Sequence, residues 1–198
     1  MKVSCSGMER SGSTVAWQIT QYLTKQTCPK THLYIPGKCE VLYTYRHPAE
    51  CYISFRDRLS KIYPTSVARQ YARERLESQI DVFESFTSDL NDKNRKVLIL
   101  RYEDYYSNPE KRVKDIAEWL GVGTTDADVA AVLDATSIEK NMTAGDFSHF
   151  DKKTGLHGTH INPDTKGEPG SLLRLADDDP YLTSSALRLL CKKFGYSY

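Results

Sequence analysis

The sequence predicts an α/β fold with a mainly parallel central sheet flanked by helices, and three observations carry that expectation. Strand-like and helix-like segments alternate along the 198 residues, the pattern that builds parallel sheets through helical crossovers. Lys96 to Arg101 (KVLILR) is continuously apolar between basic ends, as strands covered on both faces are. Gly7-Met8-Glu9-Arg10-Ser11-Gly12-Ser13-Thr14 nearly completes G-x-x-x-x-G-K-[ST], the strand–loop–helix signature of a P-loop.

Val3 to Ser6 reads as the first strand, the two glycines as a tight loop, and Ser13 to Thr24 as the first helix. Cys39 to Tyr45 (CEVLYTY) is β-branched and aromatic, and Arg46-His47-Pro48 ends it as a strand. Ala49 to Leu59 follows as a helix. From Ser66 to Leu90 the apolar residues Val67, Tyr71, Leu76, Ile80, Phe83, Phe86 and Leu90 form a helical stripe. After the KVLILR strand, Asn108 can cap a helix and Pro109 suits its first turn. Val113, Ile116, Ala117 and Leu120 form its apolar face, and Gly121 ends it. A shorter helix runs from Thr125 through Leu133, and a closing helix from Leu182 to Phe194 is stopped by Gly195. Between Thr143 and Ser171 the periodicity dissolves, and so long an unpatterned stretch reads as a functional loop or lid. No repeat or linker divides the chain, so one domain over residues 1–198 is expected.

Hydrophobic residues make up 39% and charged residues 27%, with a formal net charge of +1. No global field then favours nucleic acid or an anionic membrane, and neither is an expected partner. The five cysteines (Cys5, Cys28, Cys39, Cys51, Cys191) are odd in number and lack C-x-x-C spacing. Neither a disulfide framework nor a zinc site follows, and a reducing cytoplasm is the expected location. The longest strongly apolar run, Val97 to Leu100, is far short of a membrane span, and the N-terminus shows no apolar signal region.

Ligands of open parallel sheets bind outside the carboxyl ends of the strands. At the first such end, Ser13 stands where a P-loop lysine would reach the outer phosphates of ATP. Loop amides and the helix start still suit an anion, and a cation sits three residues earlier, at Arg10. At the second, Arg46 leaves its strand directly and Ser54 lies two helical turns on. Either the pair meets on one phosphate, or Arg46 is an ordinary surface cation and Ser54 a solvated helix residue. At the third, Glu103 and Asp104 suggest a metal site, although such residues more often bond loop backbone or pair with a neighbour such as Arg101. No Asp/Glu/His cluster has metal-ligand spacing, so no metal is expected.

The segments MERSGST, KTHLYIP, YTYRHPAECYISFR, LILRYEDYYSNPEKRVKDIAEWLG and KGEPGSL resemble, in this order, sulfotransferases that use PAPS (3′-phosphoadenosine 5′-phosphosulfate). The resemblance spans nearly the whole chain and is closest to cytosolic-type members. It implies a P-loop NTPase-like fold and in-line transfer of a sulfuryl group to a hydroxyl of a small molecule, a phenol or other alcohol. Adenosine 3′,5′-bisphosphate (PAP) is released and no metal is required. Arg10, Ser11, Gly12, Ser13 and Thr14 match the loop that holds the 5′-phosphosulfate, and Arg46 and Ser54 the pair on the 3′-phosphate. Lys166 and Gly167 match a later loop on the same phosphate, where Thr165 replaces the usual arginine and Lys152 or Lys153 is a substitute. Tyr102 and Thr136 match positions near the adenine. Val15 and Ile138 replace the aromatics that stack on the base, so reduced stacking is expected unless Trp17 takes over.

His32 matches the general base, and a neutral imidazole suits removal of an alcohol or phenol proton. Its rivals are His157, His160 and Glu9, whereas His47 shapes the turn before Pro48. Arg10 and Lys30, with loop amides, match the groups that neutralise charge on the sulfuryl and bridging oxygens. Tyr34, Tyr63, Phe147 and Phe150 are candidate walls for the acceptor. A small-molecule kinase on the same fold, or a non-catalytic nucleotide-binding protein, are the alternative readings.

Overall fold

The computed structural model describes residues 2–37, 39–143, 166–174 and 178–197. Three parallel strands, β1 (Val3–Gly7), β2 (Glu40–Tyr45) and β3 (Val97–Arg101), lie side by side in chain order. Parallel neighbours need long returns, and helices supply them. α1 (Ser13–Thr24) links β1 to β2, and α2 (Pro48–Leu59), α3 (Thr65–Glu77) and α4 (Gln79–Asp89) link β2 to β3. After β3 come α5 (Tyr102–Tyr106), α6 (Pro109–Leu120), α7 (Asp126–Ala135) and α8 (Ile138–Thr143). Then follow α9 (Ser171–Arg174), a 3₁₀ turn (Pro180–Thr183) and α10 (Ser185–Lys193). A lone parallel bridge joins Cys5 to Lys30, laying the segment after α1 against β1.

The period-two alternation of β2 divides the core. Leu42, with Val3, Cys5 and Leu100, packs under Ile19 of α1, Val113 and Ile116 of α6 and Val132 of α7. Val41 and Tyr43 face the other way, onto Val82 and Phe86 of α4. A third cluster joins Met8 to α2 and to Leu187, Leu190 and Phe194 at the far end of the chain. Buried Asp179 fastens that end: it accepts from Tyr52 Oη (2.8 Å) and Arg56 Nη1 (3.0 Å) and forms an ion pair with Arg69 (3.0 Å). Burial alone would raise its pKa, but the Arg56 and Tyr52 bonds outweigh it and hold the carboxyl below its usual range.

The helix at residues 109–120 is as expected: Asn108 Oδ1 accepts Lys111 N–H (3.0 Å), its four apolar residues are buried, and Gly121 follows in left-handed backbone. Elsewhere the structure corrects the reading. The stripe over 66–90 is two helices broken at Ser78, whose hydroxyl donates to the Arg75 carbonyl (2.8 Å). The inward side of α3 is Ala68, Ala72 and Leu76, with Tyr71 exposed, because α3 lies close along α2 and small residues permit that approach. β3 is less enclosed than its apolar run suggests, with only Leu100 buried: it is one of the two edge strands among the described residues, and the other, β1, is covered by the segment at Lys30. Thr125 is a cap, sharing a capping box with Asp128. Leu182 belongs to the 3₁₀ turn, and Ser184 caps α10 by accepting Leu187 N–H (3.2 Å). Most of the expected loop or lid at 143–171 lies outside the described residues.

Candidate active site

The loop between β1 and α1 is shaped by two left-handed residues. At Gly12 (φ 77°) a Cβ would stand 2.8 Å from the Tyr102 ring, so only glycine fits both the backbone and the space. Arg10 takes the same region at φ 68°, a strain of roughly 1–3 kcal/mol that persists where the surroundings enforce it. Ser11 does some of that enforcing. Its hydroxyl lies 2.6 Å from the Met8 carbonyl and 2.7 Å from Thr44 Oγ1. Its side chain thus fastens the loop to β2. α1 then begins at Ser13 and Thr14, both buried. The first-turn N–H groups of a helix have no intrahelical acceptor, which leaves them suited to an anion.

Three cationic or basic groups converge beside this loop. Arg10 Nε donates to Ser54 Oγ (2.7 Å), while Arg10 Nη1 is buried with no hydrogen-bond partner. Burial pulls the Arg10 pKa down to about 10, and Arg58 and Arg46 press in the same direction. Lys30 Nζ donates to Thr14 Oγ1 (2.6 Å), and burial lowers its pKa to about 8. His32 Nδ1 lies 2.7 Å from the Gly7 carbonyl. A carbonyl only accepts, so Nδ1 carries the proton and Nε2 keeps its lone pair. Burial also lowers the His32 pKa, favouring that neutral form. The Cys5–Lys30 bridge holds Lys30 and His32 at the loop.

Arg46 is built into a second group. Its guanidinium meets Glu50 Oε2 (3.1 Å) in a buried ion pair and lies over the Tyr102 ring, 4.4 Å from its centre. Its Nη2 also donates to the Glu168 carbonyl (3.4 Å). Tyr102 Oη donates to the Gly167 carbonyl (2.8 Å), and a Cβ on Gly167 would stand 2.6 Å from that hydroxyl. Arg46, Tyr102, Lys166 and Gly167 are therefore brought to one place. Ser54 Oγ accepts Arg10 Nε (2.7 Å), and the Arg46 guanidinium pairs with buried Glu50, four residues on.

Other candidates have different surroundings. Trp17 is buried in the core and donates its indole N–H to the Cys28 carbonyl (2.8 Å). It is a packing residue and no stand-in for a base-stacking ring. Thr136 is buried, and its hydroxyl donates within α7 to the Val132 carbonyl (2.9 Å). Tyr34 packs on Phe86 and receives Arg95 Nη1 (2.8 Å), and Tyr63 lies past α2 near Tyr71. His47 Nδ1 caps α2, and Glu103 accepts His47 N–H (2.9 Å) and Tyr196 Oη (2.6 Å), so both have the structural roles expected. Phe147, Phe150, Lys152, Lys153, His157, His160 and Thr165 lie outside the described residues.

The sequence reading missed Glu50, Arg58, Arg75 and Gln79. The first two carry a signal: Glu50 lies four residues after Arg46, which precedes α2, and Arg58 lies four after Ser54 on the same helix face. Arg75 Nε pairs with Glu9 Oε1 (2.9 Å), and Gln79 Nε2 donates to the His32 carbonyl (3.3 Å). Both come from a distant helix pair, and nothing local marks them. Among the described residues no three His, Cys, Asp or Glu side chains gather to hold a metal, and no helix is long and apolar enough to cross a membrane.

A family model described as Sulfotransferase domain matches residues 29–160. No curated protein matches the chain. Among solved structures, mouse sulfotransferase SULT7A1 complexed with PAP is similar with a TM-score of 0.66 at 16% identity, over 96% of this chain and 88% of that one. Retinol dehydratase in a complex with retinol and PAP gives 0.72 at 14% identity, over 96% and 80%. The same enzyme with androsterone and inactive cofactor PAP gives 0.74 at 14%, over 98% and 81%. At these identities the likeness establishes the fold.

Proposed function

The chain belongs to the sulfotransferase domain family, and on that premise we propose that it transfers the sulfuryl group of PAPS to a hydroxyl of a small-molecule acceptor. One observation carries the reading: buried Arg10 Nη1 has no partner in a loop flanked by Lys30, His32 and Ser54. A buried guanidinium N–H left bare is costly, and an anion in the loop would satisfy it. PAP accompanies the similar folds, which supports the choice of donor.

In this reading His32 Nε2 takes the acceptor proton as the acceptor oxygen bonds to sulfur. The bond from sulfur to the bridging oxygen breaks in line, and PAP leaves. Arg10 and Lys30 neutralise charge growing on the bridging and sulfuryl oxygens, an electrostatic contribution set in place before the reaction. The loop and the start of α1, through Ser13 and Thr14, hold the 5′ end of the donor. Arg46 is assigned to its 3′-phosphate, with Lys166 and Gly167 closing behind it and Tyr102 beside the adenine. Ser54 ties Arg10 to this group, and Thr136 supports the adenine side from α7. In this reading the transfer needs no metal, since the phosphosulfate donor carries its own leaving group.

The test is donor choice. A ligand at a hundredfold excess over its Kd stabilises the native state by about 2.7 kcal/mol, so PAP is expected to raise Tm by roughly 5–11 °C in a domain of this size. ADP, lacking a 3′-phosphate, is expected to do far less, and Arg46→Ala to abolish the difference. Equal shifts from both nucleotides, with Mg-ATP turnover and no PAPS consumption, would overturn the reading.

A further inference from the structure

Glutamine side chains are mostly exposed in folded proteins, yet Gln79 is only 1% exposed. It opens α4, with Ser78 alone between it and the end of α3. Its Nε2 donates to the His32 carbonyl (3.3 Å), and the opposite orientation of the amide would set oxygen against oxygen. Four residues earlier, in the last turn of α3, Arg75 Nε pairs with Glu9 Oε1 (2.9 Å). The corner between the two helices therefore holds the loop between β1 and α1 through Glu9, next to Arg10. It holds the neighbouring segment through His32, two residues after Lys30.

Three further bonds of that segment run to β1. Thr31 N–H donates to the Cys5 carbonyl (3.0 Å), the Leu33 carbonyl accepts the Ser6 hydroxyl (2.9 Å), and His32 Nδ1–H donates to the Gly7 carbonyl (2.7 Å). A strip of chain fastened along one edge can still tilt about that edge. The bond from α4 opposes the tilt, because it fixes the plane of the peptide that leaves His32. The imidazole then has two independent constraints. Gly7 holds the ring at Nδ1, and Gln79 holds the backbone that carries the ring. Together they decide where the free Nε2 points. We propose that Gln79 is a positioning residue for the transfer, aiming His32 Nε2 at the acceptor hydroxyl without touching either substrate. The proposal rests on the sulfuryl-transfer reading above and adds how its base is held. A reacting group misplaced by about 1 Å loses about 100-fold in rate, so a small tilt is enough to matter.

The experiment is a double-mutant cycle of His32→Ala with Gln79→Met, which keeps the side-chain length and loses the donor. Single-turnover transfer from labelled PAPS is followed on 4-nitrophenol, methyl α-glucopyranoside and a sterol, the fastest serving as reporter. The PAP-induced shift in Tm is measured alongside. Gln79→Met is expected to slow transfer by about 10- to 100-fold and to leave the PAP shift unchanged. In the His32→Ala background the same substitution should cost less than about threefold, since residues that act as a unit are not additive. A merely structural role costs the same factor in both backgrounds, and that result overturns the proposal. So does an undiminished rate in Gln79→Met, or a PAP shift that falls together with the rate. Gln79→Asn, which stays polar and withdraws the amide by one methylene, keeps the test available if Gln79→Met fails to fold. Failure of both to fold, with His32→Ala folded, assigns Gln79 to the core and overturns the proposal too. Near-normal transfer by His32→Ala removes the base, and the role of Gln79 with it, while sulfuryl transfer stands. Absence of a PAP shift, or of PAPS consumption on every acceptor, removes the underlying reading itself.

Discussion

His32 has one ring nitrogen fixed by the Gly7 carbonyl, and the proposed chemistry uses the other. His32→Ala is expected to lower kcat by roughly 10²–10⁴-fold, the usual share of a general base, with PAP affinity little changed by calorimetry. The pH dependence has a definite sign. His32 must be neutral, and burial lowers its pKa from 6.5, so activity rises with pH through a value below 6.5 and is complete by neutrality. Lys30 must be charged, and burial lowers it to about 8, so activity falls as pH rises through that value. A bell-shaped profile of kcat/KM for PAPS, which reports the free enzyme, is the check; Lys30→Arg should carry the alkaline limb upward. A profile flat from pH 7 to 10 would remove Lys30 from the role. His32, Arg10 and Lys30 were legible because each sits in a contiguous motif. Gln79 was not, since its relation to His32 exists only after α4 has packed beside the loop.

Among the elements, the turn before α10 depends on one carboxylate. Asp179→Ala removes one of the two carboxylates on buried Arg56, Asp57 keeping the other, and takes the acceptor from the Tyr52 hydroxyl, which costs about 1–3 kcal/mol. The urea midpoint of the variant is expected to fall accordingly, and Asp179→Asn, which keeps an acceptor oxygen, should lose less. A midpoint unchanged in both would mean that the Tyr52–Arg56–Arg69 cluster stabilises nothing. Elements with their own punctuation were readable from sequence: α6 has Asn108, Pro109 and Gly121, and α1 follows the loop glycines. Where boundaries rest on tertiary packing the reading failed. Nothing in Glu77-Ser78-Gln79 announces a break, and the alanines that face α2 look less hydrophobic than the exposed Tyr71 beside them. The 3₁₀ turn at Pro180–Thr183 was absorbed into α10 because Leu182 fell in phase with the helical stripe.

For the whole molecule, every strand pairing joins segments far apart in sequence, with Val3 opposite Glu40 and Val41 opposite Val97. Folds dominated by such pairings form slowly, because loop closure must precede the reward. Alternation of strands and helices predicted this layout. The side-by-side order of the three strands had no signal, since which strand lies next to which is decided by how the helices cover the two faces.

The burial of Met8 among Leu187, Leu190 and Phe194 has a consequence for biosynthesis. The loop leaves the ribosome with β1, yet part of its packing is α10, which is translated well over a hundred residues later. Nascent chains in which Ser185 has not yet emerged are therefore expected to retain little PAP, and chains in which α10 has emerged to capture it, on PAP-agarose. Capture by chains stalled at Arg101 would show that the loop matures without α10. Otherwise an early-made part of the site waits for a late one, and quality control that senses ligand binding would in effect inspect whether α10 has docked.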